Sequence, residues 1–387
     1  MTKRIPNDIF GRILDDNRVV FASEHSKIEE SLLKLREELV SNHDLKLISD
    51  DGPDSSFWNK YLQSGAMGKN WLDSPWLFTE FYFYRRVIES FNYFDSRIDP
   101  FKAQKQAGLR AAIDHTNSYL TVLTPLLSAV MPMLEKGKQS SDIKQPESSS
   151  EIVVDTVTNI LSYGIYASLF GNKMDLSLYP VDLASGINNN NGGVGNTTTS
   201  SVSHSSIQEM NDTLKQMISC NSEHIISSQS EIVVAHMLDN YSWNTKGSTI
   251  NHSKTHIDII CDNAGYELVT DLILGYICLK LNITGRVVYH TKGFPTFVSD
   301  ATTDDVMYTL RSLQDMGENY PLVGAMASEM LQYITDGRVH IQDNLCWCQP
   351  IAFYSLEKVY PDVAQMFVDT SVVFIKGDAN YRKLLGK

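Results

Sequence analysis

From His256 onward the chain alternates two kinds of segment, and this alternation restricts the fold more than any other feature. HIDIIC (256–261) reads as a short buried strand, Leu268–Leu281 as a helix and RVVYHTK (Arg286–Lys292) as a second strand. Ala301–Asp315 has helical spacing, and SVVFIK (Ser371–Lys376) is a further strand. Strands that alternate with helices form a mostly parallel, doubly wound sheet, so the fold class is α/β. In such sheets ligands bind beyond the carboxyl ends of the strands. The residues that follow each strand are therefore the first place to look for chemistry.

The first 250 residues have a different character. Ile28–Leu39 carries Ile28, Leu32, Leu33, Leu35 and Leu39 near the helical period. Ser74-Pro75 predicts a helix start with Ser74 as the cap. The helix that follows, WLFTEFYFYRRVIESFNYF, is apolar nearly all round, so Glu80, Arg85 and Arg86 on it need partners or a ligand. Gly137–Ser150 is polar and aperiodic and predicts a surface loop. Ile152–Leu169 and Ile207–Asn240 read as helices. Between them Gly186–Ser206, GINNNNGGVGNTTTSSVSHSS, is low in complexity and is expected to be disordered. Its Gly193-Val-Gly195 neither follows a strand nor opens a helix, so it is not a nucleotide fingerprint. The expected organisation is a mainly helical region over 1–250, with an insertion at about 186–206, and an α/β domain over 251–387 that binds metal and phosphate.

The 387 residues carry a net charge of −13, with 42% hydrophobic and 10% aromatic residues. A large core is possible. Nucleic acid and anionic membranes are poor partners for such a chain, because phosphate backbones need clustered Lys and Arg. One local cationic pocket still suffices for a small anion. Five cysteines, Cys220, Cys261, Cys278, Cys346 and Cys348, show no disulfide or zinc spacing and read as reduced thiols. The N-terminus lacks an apolar signal core, and no apolar run approaches the roughly 20 residues of a membrane span. A cytosolic or nuclear location is expected.

Three strand ends carry acids. Asp262 and Asn263 follow HIDIIC, Asp300 ends PTFVSD after RVVYHTK, and Asp378 opens GDANYRK after SVVFIK. Asp262, Asn263 and Asp300 offer three hard oxygen ligands, which suit Mg²⁺ or Mn²⁺. The GDANYRK loop adds Asn380, Tyr381, Arg382 and Lys383, with Arg suited to bidentate phosphate contacts. Each acid on its own could equally cap a helix. Asp300 and Asp378 are both candidate general bases, and the sequence does not choose between them. Arg85 and Arg86 stand beside Arg382 as candidate phosphate ligands.

Four stretches in this order resemble a known family: PWLFTEFYFYRR with SRIDPF at 75–101, DNAGYELVTDL at 262–272, KGFPTFVSD at 292–300 and KGDANYRKLLG at 376–386. The chain is identified as similar to the DUF89 proteins. The resemblance is to the eukaryotic branch described both as damage-control phosphatases and as acidic-residue (protein-glutamate) O-methyltransferases. It implies a helical N-terminal part packed on a three-layer α/β/α sandwich. It also implies a divalent metal on Asp262, Asn263 and Asp300. The phosphosubstrate would touch Asp262 and Asn263 as well as Asp378, Ala379, Asn380, Tyr381 and Arg382. The substrates implied are small phosphorylated metabolites such as fructose 1-phosphate and fructose 6-phosphate. Under the methyltransferase description Glu267 would contact S-adenosylmethionine, and proteins would be the substrates.

Two departures stand out. Ala379 replaces the usual leucine of GDLNYRK. Members of the family also continue past GDANYRKLLG to an R-T-x-K motif whose lysine binds substrate, whereas this sequence stops at Lys387. The resulting expectations are a truncated or inactive relative and an α/β domain left incomplete at its C-terminus, with an exposed sheet edge.

Overall fold

The computed structural model describes residues 25–65, 67–139, 147–171, 204–220, 225–239 and 256–386, together with residues 10, 11, 13 and 14. Up to residue 239 the described elements are helices. The longer ones are α1 (His25–Val40), α2 (Ser55–Ser64), α3 (Trp76–Ser90), α4 (Lys102–Ala111), α5 (Ile113–Gln139), α6 (Glu147–Phe170), α7 (His204–Cys220) and α8 (Ser230–Asp239). From His256 strands and helices alternate: β1 (His256–Ile260), α9 (Tyr266–Lys280), β2 (Arg286–Lys292), α10 (Thr303–Asp315), α11 (Pro321–Thr335), β3 (Val339–Asn344), α12 (Pro361–Met366), β4 (Thr370–Ile375) and α13 (Asp378–Leu385).

The four strands form one sheet in the order β3-β2-β1-β4, and every pairing is parallel. The chain is an α/β protein. β1, β2 and β3 advance in one direction and β4 returns to the other side of β1. The strand order thus reverses between β1 and β4, the position where doubly wound sheets open a crevice at their carboxyl edge. Asp262 follows β1 and Gly377-Asp378 follows β4, so both strand ends reach that crevice.

Burial explains why these segments adopt these elements. All five residues of β1 are buried, as is α9 from Glu267 to Leu279. α9 packs against one face of the sheet with α5, α6, α10 and α11 in the largest core cluster, which includes Ile259, Leu272, Ile277 and Tyr289. Trp347, Leu356 and Val363 join Ile260 in a smaller cluster. The aromatic residues of α2 and α3 form a separate core that also takes in Ala379, with Phe297 and Val298 packed on it. The helical region thus rests on the loops that follow β2 and β4.

Several local expectations need correction. Ser74 does not cap α3: Pro75 holds that position, and Ser74 Oγ donates to Asn70 O at 2.8 Å. The polar stretch 137–150 is helical at both ends, with residues 140–146 outside the described set. Most of the 186–206 tract also lies outside the described residues, and its last three residues open α7. Within 207–240 the described residues hold two helices, α7 and α8, instead of one. Residues 113–134 and 151–170 are long and apolar enough to cross a bilayer by length and composition, contrary to the sequence estimate. Leu123, Leu126, Ile160 and Leu161 from these two stretches are buried in the main core, which accounts for much of their apolar character. β3 and α11 are additions to the sequence reading.

Candidate active site at the carboxyl edge of the sheet

The backbone alone brings the first two acid-bearing segments together. Asn263 and Asp300 form an isolated antiparallel bridge. Ala301 N donates to Asp262 O at 2.7 Å, and Ala264 N donates to Ser299 O at 2.7 Å. The loop 293–300 makes this approach through an unusual conformation. Phe297 and Val298 both have positive φ, 52° and 69°, which is costly for a β-branched residue. Phe297 is held by edge-on packing against Phe81 (4.7 Å) and by Tyr84 (5.0 Å), both from α3. Aromatic packing from the helical region thus supports a strained turn immediately before Asp300.

A third segment closes on the first two from the β4 side. Gly377 sits so near Asp262 that a Cβ there would lie within 2.1–2.4 Å of the carboxylate atoms, and its φ is +82°. Only glycine meets both conditions. Asp378 lies on the first turn of α13 with its side chain 80% exposed.

The electrostatics of this cluster are unbalanced. Asp262 and Asp300 are 7% and 2% exposed. Burial, and then the charge of Asp300, push the Asp262 carboxyl up to about 7. Burial also raises Asp300. The cation that answers them is Lys292, the last residue of β2, itself 1% exposed with Nζ 3.0 Å from Asp300 Oδ2. Burial works against its charge, but Asp300 and then Asp262 outweigh that and hold its pKa above the usual lysine value. The pair is close but misaligned for a hydrogen bond, so Asp300 Oδ2 is buried without a hydrogen-bond partner.

Asn263 is oriented by its neighbours. Its Nδ2 donates to Asp262 Oδ2 (2.8 Å) and Glu267 Oε2 (2.9 Å), which turns Oδ1 towards Ser299 Oγ at 2.5 Å. The other oxygen of Glu267 faces Lys376 Nζ at 3.1 Å. Lys376, the residue after β4, also donates to Asp271 Oδ1 (2.8 Å) and Ser168 O (2.7 Å). Both oxygens of Glu267 are therefore engaged within the protein.

A divalent ion fits this arrangement. The donors are hard oxygens, two of them carboxylates whose proton affinity burial raises, and one carboxylate oxygen lacks a hydrogen-bond partner. Among the described residues no three His, Cys, Asp or Glu side chains converge as a metal set. Asn263 Oδ1 would be the third protein ligand.

The expected substrate loop divides into two parts. Asp378, Tyr381 (58% exposed) and Arg382 reach solvent, with Arg382 stacked 4.6 Å over the ring of Trp76. Ala379 and Asn380 are buried, and Asn380 Nδ2 donates to Lys376 O at 2.9 Å, tying α13 to β4. Arg85 and Arg86 are not phosphate ligands here. Arg85 is fully buried, with its guanidinium bound to Asp50 (2.5 and 2.8 Å) and Asp54 (2.8 and 2.9 Å), and Arg86 pairs with Glu38 and Glu89. Cys261, Cys278, Cys346 and Cys348 are buried free thiols. Lys292 and Lys376 are the site residues that the sequence reading passed over. Their signal is a lysine at the carboxyl end of each apolar run, RVVYHTK and SVVFIK.

A parallel α/β sheet with acids gathered at its switch point defines a class of ligand-binding and catalytic α/β proteins. Comparison with known proteins narrows that class. Residues 2–387 match the family described as the damage-control phosphatase ARMT1-like domain, and the chain belongs to that family. It is 27% identical to the damage-control phosphatase ARMT1 of Danio rerio, over 92% of this chain and 70% of that protein. It is 28% identical to the Bos taurus protein of the same name, over 92% of this chain and 71% of that protein. For the Xenopus tropicalis protein the values are 25%, 97% and 76%.

Proposed function

We propose that the chain hydrolyses phosphomonoesters of small metabolites with the help of Mn²⁺ or Mg²⁺ held by Asp262, Asn263 and Asp300. The observation that carries this reading is the pair of buried carboxylates at the switch point, answered by one buried lysine. Family membership supports phosphatase chemistry. Sugar phosphates such as fructose 1-phosphate and fructose 6-phosphate are the proposed substrates.

A divalent ion bound there would neutralise phosphate oxygens and lower the pKa of a bound water. The protein's own groups have separable tasks. Lys292 keeps Asp300 ionised and in place. Glu267, itself held by Lys376, accepts from Asn263 Nδ2 and so restrains that side chain. Arg382, one turn into α13, holds the phosphate, with Trp76 limiting its swing. Asp378 is the proposed general base, because its carboxylate is exposed while Asp300 is committed to Lys292. No feature of the site favours methyl transfer, since both oxygens of Glu267 are already engaged.

The test is phosphate release from fructose 1-phosphate by the purified chain, with and without Mn²⁺. The expected result is metal-dependent release that Asp378→Asn lowers by about 100-fold or more in kcat. Release that needs no metal, or that survives Asp262→Ala, would contradict the proposal.

A further inference from the structure

A cleft of about 780 Å³ opens between α2, the start of α3, the 350–359 loop and α13. Its lining contains four cations, Lys60, Lys358, Arg382 and Lys383, and no carboxylate, in a chain whose net charge is −13.

These cations are poorly neutralised. Lys60 and Lys358 are exposed and form no ion pair among the described residues. Arg382 meets Asp378 only at 3.7 Å, and its buried Nε has no hydrogen-bond partner. Lys383 is the most unusual of the four. It is 1% exposed, and its Nζ donates to Cys346 O at 2.8 Å. The rings of Phe81, Trp347 and Phe353 lie 5.4–5.5 Å from that nitrogen, and no carboxylate pairs with it. An ammonium group carries three donors, and burying one without a counter-charge is costly. Burial accordingly lowers its pKa to about 7.

We propose that this cleft binds a nucleoside phosphate, with Lys60, Lys358 and Arg382 on the phosphate and the base against the aromatic wall. Two observations select that chemistry. The volume lies within the range of small-molecule sites and is far larger than a lone phosphate fills. Phe57, Tyr61 and Tyr354 line the cleft with aromatic surface, and Tyr354 is 79% exposed there. Aromatic side chains stack on any base, because every base presents a π-face. The cleft shares only Arg382 with the proposed phosphatase residues, so the two readings can fail separately.

The test is calorimetric titration of the 387-residue chain with ADP, adenosine and inorganic phosphate in EDTA, so that neither metal nor turnover contributes. ADP is expected to bind saturably and at least tenfold more tightly than either fragment. Lys60→Glu with Lys358→Glu should weaken ADP at least tenfold, and the single Lys60→Gln and Lys358→Gln variants should each weaken it measurably. Asp262→Asn should leave ADP binding unchanged while impairing the metal site. The inference is overturned by any of three results: no saturable ADP binding up to millimolar concentration, equal affinity for phosphate alone, or indifference of ADP affinity to the lysine variants.

Discussion

Arg85 and Lys383 are both buried cations, yet their surroundings are opposite. Arg85 is clamped by Asp50 and Asp54, with Ser55 Oγ at 3.1 Å and Trp58 Nε1 donating to Asp54 at 2.8 Å. Every charge there has a partner, and the group joins α2, α3 and the 50–54 turn. Lys383 has one carbonyl and three aromatic rings. The strand-end cluster resembles Lys383 in its imbalance but with the opposite sign, since Asp262 and Asp300 share a single lysine. A neutralised cluster holds a fold together. An unneutralised one costs stability and is retained where something charged has to bind.

The largest test of this contrast removes the matched cation. Arg85→Met leaves two buried acids uncompensated and should cost about 3–5 kcal/mol in chemical denaturation. A loss below 1 kcal/mol would show that water reaches Asp50 and Asp54 and that the cluster is not closed. Next comes Gly377→Ala, which drives a methyl group into the Asp262 carboxylate from a backbone at φ +82°. About 2 kcal/mol of stability should be lost, together with metal affinity.

The smallest effect has the opposite sign. Lys383→Met replaces an uncompensated buried charge with an apolar side chain of similar length, and should stabilise the protein by about 1–2 kcal/mol at pH 7. Its pH dependence follows from linkage. Lys383 titrates near 7 in the folded chain and at its ordinary, higher value when unfolded. Between those values the unfolded state holds the extra proton, so the native protein gains stability as pH rises through that window. The methionine variant should lack that gain, which thermal melts at pH 7 and pH 9 would show.

Much of the sheet was legible in the sequence because β1, α9 and β2 are nearly enclosed, and enclosure demands the apolar runs that mark them. β3 escaped because it is an edge strand, VHIQDN, with polar residues on a half-exposed ladder. The acids at the strand ends were visible because turn residues interrupt apolar strands there. The contrast between Arg85 and Arg382 was not visible. The partners of Arg85 lie 31 and 35 residues away, at a separation no helical or strand period encodes. Lys292 and Lys376 were hidden for a related reason. A lysine at a strand end looks solvated until the fold places acids from other segments around it.

The central claim is that the imbalance around Asp262 and Asp300 exists to hold a divalent ion. Titration of the purified chain with Mn²⁺ at pH 7.5, beside its Asp262→Asn and Asp300→Asn variants, tests this most directly. One Mn²⁺ per chain, with affinity reduced at least 100-fold in either variant, is the predicted result. Native and variant chains that bind Mn²⁺ equally, or a native chain that does not bind it, would contradict the account.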